Sequence, residues 1–498
     1  MELPFEKTVC RYWKQKLYTL LKTEETQELK IPESMPDVGR IISSWAQVIL
    51  RGKDWRDRNI GINGGVMVWI LYAPEDGGDL RRLESWIPFQ VRTDLPEGGA
   101  DGVIRVESFL HSMDARAVSS RRIMIRTGIG MLVQALGTDE LELTVPGEMP
   151  DDLELRKEVY PFVLTREAGE KTFLMEEELN LPSGLPKPEQ VVYYRLTPEI
   201  LEQKVMGSKA AFRGMGALHL LYMDDQGRLT GTDLQIPFAQ YVDLEGEYQN
   251  DAQISNILCV TSLELDLGAD GMIRLKCGLV SQYAIDAPES VELLEDCYSP
   301  CRDVEVEKEL LSVPAWLDHQ KQSIAMSTSV PAEGNSCVDL LFSPAAPEIR
   351  RRGESVDVEL GGVFQGLMVG QDGRYESVQG KAGDTVRMES ACDTICFTAC
   401  QGSPSCRPEA SSWRTDTRVL VDLRSLCCKP MEVVTGIDAG ETGTPDPERP
   451  SVIIRSKGSC ESLWDLAKRC GSTVGAIKRL NRLEGEPDED RLLLIPVI

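Results

Sequence analysis

The sequence predicts a mainly β protein: three tandem β-sandwich or barrel-like repeats of about 149 residues, followed by a small C-terminal unit of βααβ order. Three observations carry that reading. Apolar residues recur with a strand-like period of about two, in stretches such as Val66-Met67-Val68-Trp69-Ile70-Leu71-Tyr72 and Met272-Ile273-Arg274-Leu275-Lys276-Cys277-Gly278-Leu279. The chain repeats itself: Leu71-Tyr72 and Ile87-Pro88-Phe89 return as Leu221-Tyr222 and Ile236-Pro237-Phe238, 149 or 150 positions on. Near residue 435 the composition turns to Gly, Asp, Thr and Pro, and a unit of different charge balance follows.

The first repeat occupies residues 1–150 and the second 151–299, Ile31-Pro32 with Pro36 recurring as Leu181-Pro182 with Pro186. Turn signals such as Glu75-Asp76-Gly77-Gly78 and Gly268-Ala269-Asp270-Gly271 join neighbouring strands as hairpins. The Pro of each Ile-Pro-Phe belongs at a strand start or edge, where no ladder N–H is needed. A third, divergent copy covers residues 300–434; Pro198-Glu199-Ile200 recurs there as Pro347-Glu348-Ile349, and the turn is Gln371-Asp372-Gly373. It lacks Ile-Pro-Phe and holds eight of the 14 cysteines, from Cys301 to Cys428. Residues 435–450 read as a linker.

Residues 451–498 carry eight basic and seven acidic residues, +1 where the rest of the chain carries −27 of the total of −26. Strands are expected over 451–455 and 491–497, and helices over 462–470 and 473–481. Ser462 and Thr473 cap the helices and Gly471 ends the first. Leu463, Leu466, Ala467, Val474, Ile477 and Leu480 make the small core.

Charge and composition exclude whole classes of function. Lys plus Arg number 54 against 80 Asp plus Glu, a balance that repels nucleic acid and anionic lipid. No stretch approaches the roughly 18–20 charge-free apolar residues of a membrane span, so no direct membrane insertion is expected. The first 21 residues carry charges throughout and lack a signal-peptide core, which implies a cytoplasmic chain with reduced thiols. The three histidines, His111, His219 and His319, sit in different repeats, and His219 reads as a strand residue. Gly214-Met215-Gly216 lacks the third glycine of a dinucleotide loop. No catalytic constellation, cofactor site or enzyme activity is therefore expected. Cys392, Cys396, Cys400 and Cys406 fall within one run of fifteen residues, unlike the separated knuckles of a zinc ribbon. They read as structural thiols or sites of oxidative cross-linking, with no metal expected.

The terminal unit resembles the LysM family through Ser462-Leu463-Trp464, Leu466-Ala467-Lys468, Thr473-Val474, Leu480-Asn481 and Leu494-Ile495-Pro496. Cys460-Glu461 stands where that family has Gly-Asp. The segment Ile31-Pro32-Glu33-Ser34-Met35-Pro36-Asp37-Val38-Gly39-Arg40-Ile41-Ile42 and the Ile-Pro-Phe strands are similar to the repeat of spore-envelope proteins. Repeats followed by one C-terminal LysM domain resemble the layout of SipL/SpoVID-like spore coat morphogenesis proteins. The resemblance implies a sporulation scaffold of the mother-cell cytoplasm at the forespore surface. Its LysM domain would bind a coat-basement ATPase (SpoIVA-like) and its repeats other spore coat proteins. The alternative it leaves open is a peptidoglycan-binding cell-wall protein, since LysM members bind N-acetylglucosamine polymers between the loop before helix one and the loop after helix two. The partner- or glycan-binding residues so implied are Lys457, Cys460, Glu461, Ser462, Trp464, Lys468, Arg469, Asn481 and Arg482. Trp464 reads equally as an exposed contact or a partly buried anchor.

Overall fold

The computed structural model describes residues 5–96, 101–268, 271–331, 335–389, 394–409, 411–441, 450–458, 461–488 and 491–498. Among the described residues the chain is mainly β, with two short helices near its C-terminus.

The first segment holds β1 (Phe5–Lys30), β2 (Val38–Arg56), β3 (Asn59–Pro74), β4 (Arg81–Asp94), β5 (Gly102–Ser119) and β6 (Arg122–Pro146). They form two antiparallel sheets, β2-β3-β4 and β1-β6-β5. Opening and closing strands pair along their whole length, from Phe5 opposite Pro146 to Lys30 opposite Arg122. The second segment, β7 (Glu154–Leu179), β8 (Pro188–Asp224), β9 (Leu229–Tyr248), β10 (Gln253–Leu267) and β11 (Ile273–Tyr298), is organised in the same way. Its β7 pairs β11 from Glu154–Tyr298 to Leu179–Ile273, and β10 flanks β11. In the third segment β12 (Val304–Pro331) and β19 (Ser412–Ala439) make the long pair, flanked by β17 (Thr394–Gln401) and β18 (Ser405–Pro408). Its second sheet contains β13 (Ser336–Pro344), β14 (Glu348–Arg352), β15 (Ser355–Val369) and β16 (Tyr375–Glu389).

Local chemistry repeats with the sequence. Tyr72 donates its hydroxyl proton to the Pro36 carbonyl at 3.0 Å, and Tyr222 to that of Pro186 at 2.9 Å. Both tyrosine bodies are buried, so each ring anchors the loop that enters its sheet. Gly207, at φ 61, stands where Asp57, at φ 54, turns β2 into β3. A Cβ on Gly214 would meet the Glu199 carbonyl oxygen at 2.0 Å, as one on Gly64 would meet that of Ile49 at 2.3 Å. The two halves of β8 thus lie against one another as β2 and β3 do, and only glycine permits the approach. Pro88 and Pro237 sit within β4 and β9, on the outer edges of their sheets and exposed, which fits their missing N–H.

The segments close on one another in a ring. Gln47 donates to the Leu196 carbonyl at 2.8 Å and accepts from the Leu196 N–H at 3.1 Å, joining first to second. Arg195 donates to the Phe342 carbonyl at 2.9 Å and the Ser343 hydroxyl at 3.1 Å, joining second to third. Gln365 donates to Ser43 Oγ and the Ser44 carbonyl, both at 2.9 Å, joining third to first. Between these bonds Trp45 stacks on Tyr193, ring centres 5.2 Å apart, and Leu341 and Leu367 complete a buried core drawn from all three segments. At the far end of the long strand pairs a second shared core contains Leu143, Phe162, Leu293, Val313 and Val433.

The expected linker begins too early at 435. Residues 435–439 continue β19, because Val434, Ile437 and Ala439 are buried against Leu153, Leu294 and Cys297. Residues 442–449 lie outside the described residues. The terminal module is β20 (Val452–Ser456), α1 (Leu463–Cys470), α2 (Val474–Asn481) and β21 (Leu492–Pro496), its strands paired antiparallel. Ser462 and Asp465 form a reciprocal capping box, Gly471 ends α1 at φ 60, and Thr473 caps α2. Leu463, Leu466, Ala467 and Ile477 are fully buried, whereas Leu480 is 46% exposed and does not belong to the core. The short α2 turns only one stripe inward, and Ile477 fills it.

Candidate interaction site on the terminal module

The capping box fixes where α1 starts, and thereby which residues share a face. Trp464 and Lys468 are one turn apart, so both point the same way. That face is covered from within the chain. The Trp464 indole N–H donates to Asp296 Oδ2 at 2.7 Å, and Lys468 Nζ donates to both oxygens of Asp296 at 2.7 and 3.0 Å. The Tyr298 ring meets Trp464 edge-on at 4.8 Å, and its hydroxyl donates to the Ser472 carbonyl at 3.0 Å. Arg156 lies over the other part of the indole, 5.6 Å from the ring centre. Trp464 is only 9% exposed. Of the two readings left open for this residue, the structure favours the buried anchor.

The receiving surface is the end of the β7–β11 pair. Leu294 lies opposite Lys157 and Asp296 opposite Arg156, so Glu295 is the extra residue of a β-bulge. A bulge re-aims the residues beside it. Glu295 turns to Arg156, whose Nε lies 3.1 Å from its carboxylate, while Asp296 faces α1. Burial works to raise the Asp296 pKa, but the hydrogen bonds from Lys468 and Trp464 outweigh it and hold the carboxyl below its ordinary range. Burial pushes the Tyr298 hydroxyl up, so it is a fixed donor at neutral pH.

The other expected residues do different work. Lys457 donates to the Pro487 carbonyl at 3.2 Å and pairs with Glu486 at 3.1 Å, tying the loop before α1 to the loop after α2. Glu486 in turn accepts from the Leu463 N–H at 3.2 Å, a helix-end contact that no sequence pattern announced. Glu461 pairs with Arg469, and Ser462 is occupied with its cap. Asn481 was expected in the binding surface, but its amide donates to the Leu494 carbonyl at 2.6 Å and accepts from the Leu494 N–H at 2.8 Å. It holds α2 to β21. Arg482 is exposed beyond α2, in the left-handed conformation at φ 52. Cys460 lies outside the described residues.

Elsewhere the titratable groups are scattered. His219 lies between two carboxylates, 2.8 Å from Asp233 and 2.8 Å from Asp339, across the joint of the second and third segments. Burial lowers its pKa, but the two carboxylates overcome this and lift it to about 9. His319 Nε2 is 2.6 Å from Asp422, and His111 is exposed on β5. Of the cysteine run, Cys392 lies outside the described residues, as do the side chains of Cys396 and Cys400 on β17, while Cys406 falls on β18. Among the described residues no group of His, Cys, Asp and Glu is arranged to hold a metal ion, and no helix is long and apolar enough to cross a membrane. A cleft of about 900 Å³ runs between the segments, lined among others by Gln47, Glu107, Arg195, Lys321 and Arg424. Its wall carries both signs of charge and was not foreseen, because strands from all three segments contribute to it.

No protein-family model, curated protein or solved structure matches the chain.

Proposed function

We propose that the chain is a non-enzymatic scaffold of spore coat assembly, in which three copies of one β repeat form a rigid body and a C-terminal LysM domain recruits a partner protein. The single observation behind this reading is the pairing of Trp464 and Lys468 with Asp296 and Tyr298. An aromatic and a cationic side chain on one helix face take a carboxylate and a second aromatic ring. That chemistry suits an acidic protein segment better than an uncharged sugar polymer. The proposed partner is a coat-basement ATPase (SpoIVA-like) presenting a similar acidic-aromatic pair, which displaces Asp296 from the LysM face. The bridge from Lys457 to Pro487 and Glu486 spans the two loops between which a glycan would be held, and so supports protein recognition over peptidoglycan binding.

The test is co-sedimentation of the full chain with insoluble peptidoglycan beside capture by the purified, immobilised ATPase. Retention on the ATPase, abolished by Trp464→Ala with Lys468→Glu while the β body keeps its melting transition, is the expected result. Sedimentation with peptidoglycan and no retention on the ATPase would replace the scaffold by a cell-wall binder.

A further inference from the structure

We propose that Cys337 and Cys406 form a peroxide-responsive dithiol that closes to a disulfide across the two sheets of the third segment. Cys337 is the second residue of β13, at a bulge between Cys337 and Asp339. Cys406 is on β18, opposite Thr415 of β19. The two thiols are hydrogen-bonded to one another although one belongs to the sheet of β13, β15, β14 and β16 and the other to that of β12, β19, β17 and β18. The contact is locked on both sides. The Trp413 indole donates to the Asn335 carbonyl at 3.2 Å, and Val330 and Met368 form a buried cluster against which Cys337, Val378 and Trp413 pack. Both cysteines are free thiols and half-buried, so a small oxidant reaches them and neither is held apart by packing.

The pair is differentiated as such chemistry requires. The hydrogen bond between the two thiols lowers Cys406 and, with burial, raises Cys337, whose Sγ also lies 3.5 Å from the Asp339 carbonyl oxygen. Cys406 is therefore the attacking thiolate and Cys337 the resolving thiol. Burial, the largest cause in each case, pushes Cys259 and Cys277 up to about 12 and Cys297 to about 11, which leaves them protonated at neutral pH. With hydrogen peroxide as oxidant, the Cys406 sulfur attacks one peroxide oxygen and the O–O bond breaks. The departing hydroxide takes a proton and leaves as water, and Cys406 becomes a sulfenic acid. The Cys337 sulfur then attacks the Cys406 sulfur; the S–O bond breaks, and hydroxide leaves as water with the Cys337 proton. Two thiols and one peroxide give one disulfide and two waters. The bond would anchor β18, which is held to β19 by four residue pairs, and fasten the two sheets of the third segment together.

This inference is independent of the scaffold reading. The test oxidises the native full chain with hydrogen peroxide, alkylates the remaining thiols and maps peptides by mass spectrometry. The expected product is a Cys337–Cys406 linked peptide, with a melting transition raised above that of the dithiothreitol-reduced chain. Alkylation of reduced protein at pH 7 should label Cys406 at least about tenfold faster than Cys277, whose thiol burial pushes up to about 12. In Cys337→Ser, a near-isosteric change, Cys406 should stop at a sulfenic acid trapped by dimedone. Linkage of Cys406 to any other cysteine, or oxidation of Cys427 and Cys428 ahead of Cys406, would overturn the proposal; the peptide map of the wild-type chain decides it without any variant.

Discussion

Where the first and second segments meet, Gln282 accepts from the Val106 N–H at 2.8 Å and donates to the Val106 carbonyl at 2.9 Å, fully buried. Where the second segment meets the terminal module, the contact narrows to Asp296, Tyr298 and Arg156 against Trp464 and Lys468. Bonds of this kind recur around the ring, as Gln47 with Leu196 and Gln365 with Ser44 show, and they lie among buried apolar cores. The second joint is smaller: Asp296 takes Trp464 and Lys468, Tyr298 packs on the indole and bonds the Ser472 carbonyl, and the Lys468 side chain stays 42% exposed. Buried amide pairs surrounded by apolar side chains leave unpaired backbone behind when broken, so they make a permanent joint. On the Lys468 side the ion pair is partly solvated and contributes little by itself, whereas the Trp464–Asp296 bond is buried. The joints within the β body are thus the more extensive, and the module's joint rests on fewer side chains.

The largest expected effect lies in the body. Trp69 is fully buried against Tyr193 and Tyr194, so Trp69→Ala should cost about 3–5 kcal/mol. Denaturant unfolding of the full chain would measure it. Gln282→Leu preserves shape but strands the Val106 N–H, the carbonyl keeping its bond from Cys259, and should cost about 2 kcal/mol by the same assay. A smaller loss in either variant than in Trp464→Ala would reverse the comparison between the two joints.

The joint of second and third segments should respond to pH. His219 has a folded pKa raised to about 9, so the stability it contributes is complete below its unfolded pKa of about 6.5. That contribution falls away as pH rises from there through 9. Melting temperatures across pH 6 to 10 should decline over this window, and His219→Gln should flatten the slope. An unchanged slope in the variant would show that the Asp233–His219–Asp339 bridge contributes nothing to the joint.

Smaller still is the effect of Asp296→Ala. It removes the acceptor shared by Trp464 and Lys468 and should weaken docking by about 1–3 kcal/mol while leaving the body's unfolding midpoint in place. Amide hydrogen exchange over 463–472 should quicken. Because the Asp296 pKa is lowered in the folded chain, docking is complete above the unfolded value of about 3.9 and is lost as pH falls through the folded one. Protection factors, with the intrinsic base catalysis of exchange divided out, that fall on mild alkalinisation instead would point to another group.

Much of this architecture can be read from local sequence and some of it cannot. Gly227, Gly271 and Gly373 sit at positive φ in the turns where sequence put them, because a two-sided hairpin leaves no other residue a comfortable backbone. The helices of the terminal module start at Ser462 and Thr473 as capping chemistry dictates. The ring is not legible in that way: Gln47 and Leu196 are 149 residues apart, and a polar side chain on a strand gives no sign of which backbone it will satisfy. Residues 435–439 looked like linker because Gly and Asp are frequent there, yet Ile437 and Ala439 alternate inward once β12 lies alongside. The partner of Trp464 is 168 residues away, and the bulge at Glu295 that presents it leaves no mark in the sequence.

The most direct measurement is the affinity of the immobilised coat-basement ATPase for three forms of the full chain: wild type, Asp296→Ala, and Asp296→Ala with Trp464→Ala. If the body competes with the partner for one face of the module, Asp296→Ala should bind about tenfold more tightly than wild type, the equivalent of about 1.4 kcal/mol, and the double variant should not bind. Equal affinity for all three would contradict the account, since the Trp464 face would then have no part in recruitment.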